Sequence, residues 1–129
     1  MLDTNIVSDL VRNPAGRAAQ RLMRHGEDRV RISIIAVAEL RFGVAKRGSP
    51  RLALQMGRVL ATMNIVPFEA PADDVYARVR THLEAAGTPI GANDLLIASH
   101  ALTLRLVVVT HNTGEFRRVP GLLIEDWLA

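Results

Sequence analysis

Of the thirteen acidic residues in this sequence, four, Asp3, Glu39, Asp94 and Glu115, stand with the amide Asn112 where side chains that ligate hard cations or move protons could act together. Asp3 follows two apolar residues in MLDTN, Glu39 is embedded in IIAVAEL, Asp94 opens NDLLIASHAL, and Asn112 and Glu115 come directly after LVVVT. Carboxylates gathered in one crevice repel one another and raise the pKa of at least one of them unless a cation sits among them. An oxygen-only ligand set selects Mg²⁺ or Mn²⁺ over softer metals. Such a cluster polarises phosphoryl oxygens and activates water, which is the chemistry of nucleases and phosphatases.

Each acid also has a plainer reading. Asp3 or Asp94 could be a helix N-cap, accepting backbone N–H bonds at the positive end of a helix. Glu115 could be a solvated residue of a polar turn. Glu39 resists such an account, because Ile34, Ile35, Ala36, Val37, Ala38 and Leu40 surround it and a glutamate there calls for a partner or a metal. A zinc site is disfavoured: His25, His82, His100 and His111 show no HExxH spacing, and the chain has no cysteine. These histidines are expected mostly at the surface or in local hydrogen bonds.

The elements that must position the five side chains can be read from apolar periodicity and punctuation. Met1 and Leu2 suggest a strand ending at Asp3, followed by helices over 4–11 and 15–25, broken at Asn13-Pro14. The β-branched run 30–35 predicts a buried strand leading into a helix over 36–46 that stops near Gly48. Further on come a helix over 50–63, a strand over 65–68, a helix over 72–86, a loop TPIGA, a helix over 93–104, a strand over 106–110, a turn, and a last short strand LLIE. Strand and helix alternate, and the strands are apolar throughout, the mark of a parallel sheet covered on both faces. The fold class is therefore α/β, in one domain spanning 1–129. Ligands of such sheets bind outside the carboxyl ends of the strands, where all five side chains fall, with Glu39 in the first turn of its helix.

Bulk properties narrow the class further. The chain has 129 residues, 49% of them apolar, enough for one packed core. It contains no stretch of the roughly 18 apolar residues needed to span a membrane and no visible export signal. The absence of cysteine fits a reducing compartment, so a soluble cytoplasmic protein is expected. The formal charge is +3, carried almost wholly by arginine since Lys46 is the only lysine, and arginine can grip phosphate with two donors. That balance is compatible with a nucleic-acid partner without requiring one.

Four blocks, MLDTN, ISIIAVAELRFG, GTPIGANDLLIASHAL and LVVVTHNTGEFRRVPGLLIEDW, resemble the PIN-domain ribonucleases, and specifically the VapC-type toxins of type II toxin–antitoxin systems. The resemblance covers essentially the full chain, in order. It implies a three-layer α/β/α fold with a central parallel sheet, and an endoribonuclease using Mg²⁺ or Mn²⁺. By position Asp3, Glu39 and Asp94 match the family's first three acids. Asn112 stands where many members carry an aspartate, so Glu115 is carried as the fourth acid, with Asn112 a neutral ligand or water-orienting group. Asn5 and Thr110 match groups that orient the acids. The substrate implied is structured RNA, transfer RNA included, cut in line to leave 5′-phosphate and 3′-hydroxyl ends, with Arg12, Arg47, Arg51, Arg117 and Arg118 as candidate phosphate contacts or plain surface charges. The implied partners are a second copy of the chain and a VapB-type antitoxin that lays a peptide along the toxin, for which the face of Leu52, Leu54, Met56, Val59, Leu60 and Met63 is a candidate surface or ordinary core.

One departure is the start: only Met1 and Leu2 precede the first acid, and so short a central strand would pair poorly. Other folds that gather acids at strand ends fit less well. A receiver domain needs a lysine after a late strand, and a haloacid-dehalogenase-type phosphatase needs an aspartate where Asn5 stands. The competing reading from another class is a PIN fold without activity that serves as a binding module.

Overall fold

The first three residues lie in the middle of the sheet. In the computed structural model, which describes residues 1–129, the Leu2 N–H donates to the Arg31 carbonyl (2.9 Å), the Asp3 N–H to the Val109 carbonyl (2.9 Å), and the Val109 N–H to the Met1 carbonyl (2.8 Å). Brief as it is, the Met1–Asp3 segment is hydrogen-bonded on both sides. It bridges two parallel pairs: β1 (Arg31–Ser33) with β2 (Asn64–Val66), and β3 (Val108–Val109) with β4 (Ile124–Glu125). The order across the sheet is β2, β1, Met1–Asp3, β3, β4, and the Leu2–Val109 bridge is parallel too. Leu2, Asp3, Ile32, Ser33, Val108, Val109 and Thr110 are all buried. Successive strand residues point to opposite faces, so both faces are covered, as the apolar runs predict.

Seven helices surround this sheet. They are α1 (Thr4–Arg12), α2 (Arg17–His25), α3 (Ile34–Arg47), α4 (Pro50–Ala61), α5 (Ala72–Ala85), α6 (Ala92–Leu104) and the one-turn α7 (Thr113–Phe116). Helices α1, α3 and α4 pack on one another, as do α5 and α6, and α3 also meets α6. Their limits follow from local chemistry. Ser49 accepts the Leu52 N–H at 3.2 Å with Pro50 in the first turn, and Gly48 closes α3 in the left-handed conformation at φ 66°.

Four expectations need correction. The strand predicted over 30–35 ends at Ser33, because the Ser33 hydroxyl accepts the Ile35 N–H at 3.1 Å and starts α3, drawing two β-branched residues into helix. Glu39 consequently lies in the second turn of α3, not the first. The turn after LVVVT contains α7, anchored by Phe116, whose side chain is fully buried. Nor is the α4 face a single surface: Met56 and Leu60 belong to the core, whereas Leu54 is 57% exposed. No helix is long and apolar enough to cross a membrane.

Candidate active site

Asp3 is a helix cap and a candidate site residue at once. It is the N-cap of α1, its Oδ1 accepting the Thr4 N–H at 2.8 Å, while Oδ2 accepts from the Thr110 hydroxyl at 2.8 Å and from Asn5 Nδ2 at 3.1 Å. Two side chains from opposite ends of the sequence therefore hold one carboxylate in a fixed orientation. Thr110 in turn accepts the Asn112 N–H at 2.9 Å, and Asn5 Oδ1 accepts the His111 N–H at 3.0 Å, which ties the segment after β3 to the start of α1. Replacing Thr110 by Val conserves shape but removes this junction. Leaving its buried partners unpaired is expected to cost about 1–3 kcal/mol, read as a lower midpoint in urea unfolding; an unchanged midpoint would mean that the hydroxyl does not hold the junction together.

Asp94 sits in the first turn of α6 but does not cap it; that position is Gly91, with no side-chain cap. Asn112 Nδ2 donates to both Asp94 Oδ2 (2.9 Å) and Glu115 Oε2 (3.1 Å), clamping the two carboxylates together. Asp94 is pushed up to about 8, first by burial, then by the hydrogen bond it shares with Glu115, then by the charges of Asp3, Glu115 and Glu39. Glu115 moves the other way, held below the usual carboxylate range by Asp94 first and then by Asn112, the Gly91 backbone and Arg118. The pair thus shares one proton, with Asp94 the holder. Glu39 is also raised, chiefly by burial, with Asn93 working against the shift and the Asp3 charge adding to it. Its Oε1 is buried and accepts no hydrogen bond.

The four acids named from sequence thus converge on one region, and Asp94 registers the charge of the other three. They are in electrostatic range of one another, yet no three acidic or imidazole side chains stand in ligating geometry about a single point. An oxygen-only donor set with surplus negative charge and one orphaned buried acceptor fits a hard divalent cation, which would relieve both.

The remaining candidates fall in different places. Arg12, Arg47, Arg51, Arg117 and Arg118 are all exposed. Arg12 and Arg47 line, with Thr4, Glu39, Val44, Leu52 and Met56, a cavity of about 330 Å³ between α1, α3 and α4. Arg12 also borders an open polar groove with Asp9, Arg17 and His111. Arg118 is already engaged, donating to the Pro89 carbonyl at 2.7 Å beside Glu115. Of the histidines, His111 meets Asp126 at 3.0 Å and His25 stacks on Trp127, as expected of most of them, while His100 is the buried exception. Sequence reasoning also passed over Thr4, Gly91 and Asn93. The last two lie in GAND, immediately before Asp94, and could have been flagged as the turn delivering that acid.

Residues 1–122 match the PIN domain family. The ribonuclease VapC2 of Rickettsia felis is 37% identical over 129 residues, covering 98% of this chain and 96% of that protein. The tRNA(fMet)-specific endonuclease VapC of Salmonella typhimurium is 36% identical with the same coverage. Among solved structures, VapBC2 of Rickettsia felis bound to a DNA fragment from its promoter superposes with a TM-score of 0.89 at 35% identity, covering 98% of this chain and 97% of that one. The family match and these full-length similarities agree: this chain belongs to the PIN-domain family and, within it, to the VapC-type toxins.

Proposed function

We propose that this protein is an endoribonuclease toxin that uses Mg²⁺ or Mn²⁺, cuts structured RNA, transfer RNA included, and is neutralised by a VapB-type antitoxin. The observation that carries the reading is the convergence of Asp3, Glu39, Asp94 and Glu115 on one region, with Asp94 forced to hold a proton and Glu39 Oε1 left unpaired. The names of the relatives support the same reaction class. Asp3, Glu39 and Asp94 would hold the ion. When bound, it supplies positive charge to the scissile phosphate and lowers the cost of forming hydroxide from water.

The protein's own side chains do the remaining work. Asn5 and Thr110 hold the Asp3 carboxylate, Asn112 holds Asp94 and Glu115 in mutual register, and Glu115 receives the Asp94 proton bond when the cation is absent. Arg12, Arg17 and His111, along the open groove, meet the RNA backbone as point charges and donors. The cavity that carries Arg12 and Arg47 has apolar walls and opens on Glu39, which suits an antitoxin peptide bringing a basic side chain to the acids. The exposed Phe42 and Leu54, on neighbouring helices, suit a contact between two copies.

Structured RNA incubated with purified protein should be cut in Mn²⁺ and left intact in chelator, with 5′-phosphate ends on the products. Cutting at full rate in chelator would overturn the metal dependence. No cutting in any divalent ion would favour the inactive binding module. The fourth position can be tested separately. Glu115→Gln should slow cleavage by on the order of tenfold, and Asn112→Ala by a comparable factor, because the clamp needs both groups. A wild-type rate for Glu115→Gln beside a large loss for Asn112→Ala would assign the position to the amide alone.

A further inference from the structure

His100 and Ser33 form a polar pair with no contact to the acids. His100 Nδ1 lies 2.8 Å from Ser33 Oγ, and the two residues are 1% and 0% exposed. Phe68 packs edge-on against the imidazole at 5.3 Å, and Nε2 makes no hydrogen bond. Burying two polar side chains where an apolar pair would pack needs a reason beyond stability, since replacing both partners by apolar groups of like shape is commonly neutral.

The reason lies in where the two residues sit. Ser33 is the N-cap of α3, and Glu39 lies six residues further along that helix; His100 is on α6, six residues beyond Asp94. Six residues of helix rise by about 9 Å. Glu39 and Asp94 are near one another, the Asp94 neighbour Asn93 lying beside the Glu39 carboxylate, so the two helices run in opposite senses between these two meeting points. At equal distance between them fall Ala36 and Ile97, both with no exposed surface. Apolar packing between two helices is non-directional and leaves the axial position of one on the other loosely specified. A hydrogen bond is directional and short-ranged, and this one also grips the residue whose hydroxyl starts α3.

We propose that the Ser33–His100 hydrogen bond is a register lock between α3 and α6 that sets the separation of Glu39 and Asp94, so that both residues position the acids for the cation. The lock rests on the metal-dependent reading above. It acts through the two helices, and neither residue touches substrate.

Two substitutions at His100 separate register from packing. His100→Leu keeps nearly the volume and removes the bond; His100→Asn keeps a nitrogen at the δ position and loses volume. Mn²⁺ titration by calorimetry should show His100→Leu weakened by about 10-fold or more, the range seen when groups supporting metal ligands are lost, and His100→Asn within about threefold of wild type. Melting temperatures should run in the opposite order, with Leu above Asn. In RNA cleavage His100→Leu should lower kcat and leave KM unchanged. The pair Ser33→Ala and Ser33→Thr repeats the contrast from the other side, the hydroxyl being kept only in Thr, should a His100 variant fail to fold. Mn²⁺ affinity that tracks melting temperature across the set, or wild-type affinity in His100→Leu, overturns the lock and leaves the nuclease reading standing if wild-type protein cuts RNA. A wild-type protein that binds Mn²⁺ and shows the expected order of affinities yet cuts no RNA supports the lock and overturns the nuclease. A wild-type protein that binds no Mn²⁺ overturns the lock.

Discussion

Asp94→Asn is expected to abolish RNA cleavage, by on the order of 10²–10³-fold or more, while making the metal-free protein more stable. The two effects have one cause. Folding brings Asp94 within range of Asp3, Glu115 and Glu39 and partly buries it, so its carboxyl holds its proton up to about pH 8 instead of releasing it near 3.8. Between those limits the folded chain binds a proton that the unfolded chain has released, so stability falls as pH rises through that interval. Glu115, shifted down, contributes in the opposite sense: its share is present above the usual glutamate pKa and is lost on acidification. Burial and three like charges make the Asp94 effect the larger of the two. The amide keeps the side chain's shape and an oxygen for Asn112 Nδ2, and it removes the charge. After solvent screening the gain should be on the order of 1 kcal/mol at pH 8, shrinking toward pH 5. Thermal unfolding in chelator across that range reads it directly, and Mn²⁺ should stabilise wild type and leave Asp94→Asn unmoved. A variant less stable than wild type at pH 8 without metal would mean that the acids do not repel, and the argument for a cation would lose its footing.

The placement of the acids could be read from sequence because it follows from two coarse features: where apolar runs end and where helices begin. Asp3, Asp94 and Glu115 are all delivered by that rule. Glu39 stood out for a different reason, as a carboxylate among aliphatic neighbours, and its orphaned Oε1 is the structural form of that anomaly. What stayed hidden depends on single side-chain hydrogen bonds. Ser33 could be one more residue of a β-branched strand or the cap of a helix; only the Ile35 N–H at 3.1 Å decides it, and with it the turn on which Glu39 falls. The choice between Asn112 and Glu115 was likewise beyond reach, because the structure does not choose: the amide bridges two carboxylates and so ties Glu115 to Asp94. His100 reads as an ordinary helical residue in LIASHAL, and its partner lies 67 positions away.

The last prediction turns on the difference between losing the fold and losing the chemistry. Expression of this chain alone should arrest growth by cutting RNA, and both Asp3→Ala and Glu39→Gln should lift the arrest, for different reasons. Asp3→Ala removes the α1 cap and the acceptor for Thr110 and Asn5, which adds several kcal/mol of instability, on the order of 2–4, to the loss of charge. Harmless Asp3→Ala would therefore fit an unfolded protein as well as an inactive one. Glu39→Gln disturbs far less, since its Oε1 has no hydrogen bond to lose, the amide oxygen can still accept from Asn93, and removing the charge relieves repulsion with Asp3. It should melt at or above the wild-type temperature without metal, bind Mn²⁺ weakly, and be harmless in cells. A basic antitoxin side chain reaching Glu39 through the adjoining cavity would meet the same charge that the cation meets, so antitoxin peptide and Mn²⁺ should compete for wild-type protein. Glu39→Gln should bind both less tightly. Folded Glu39→Gln that still arrests growth and cuts RNA would remove Glu39 from the site; a folded, harmless variant whose Mn²⁺ and antitoxin affinities both match wild type would place the reaction's dependence on Glu39 somewhere other than charge.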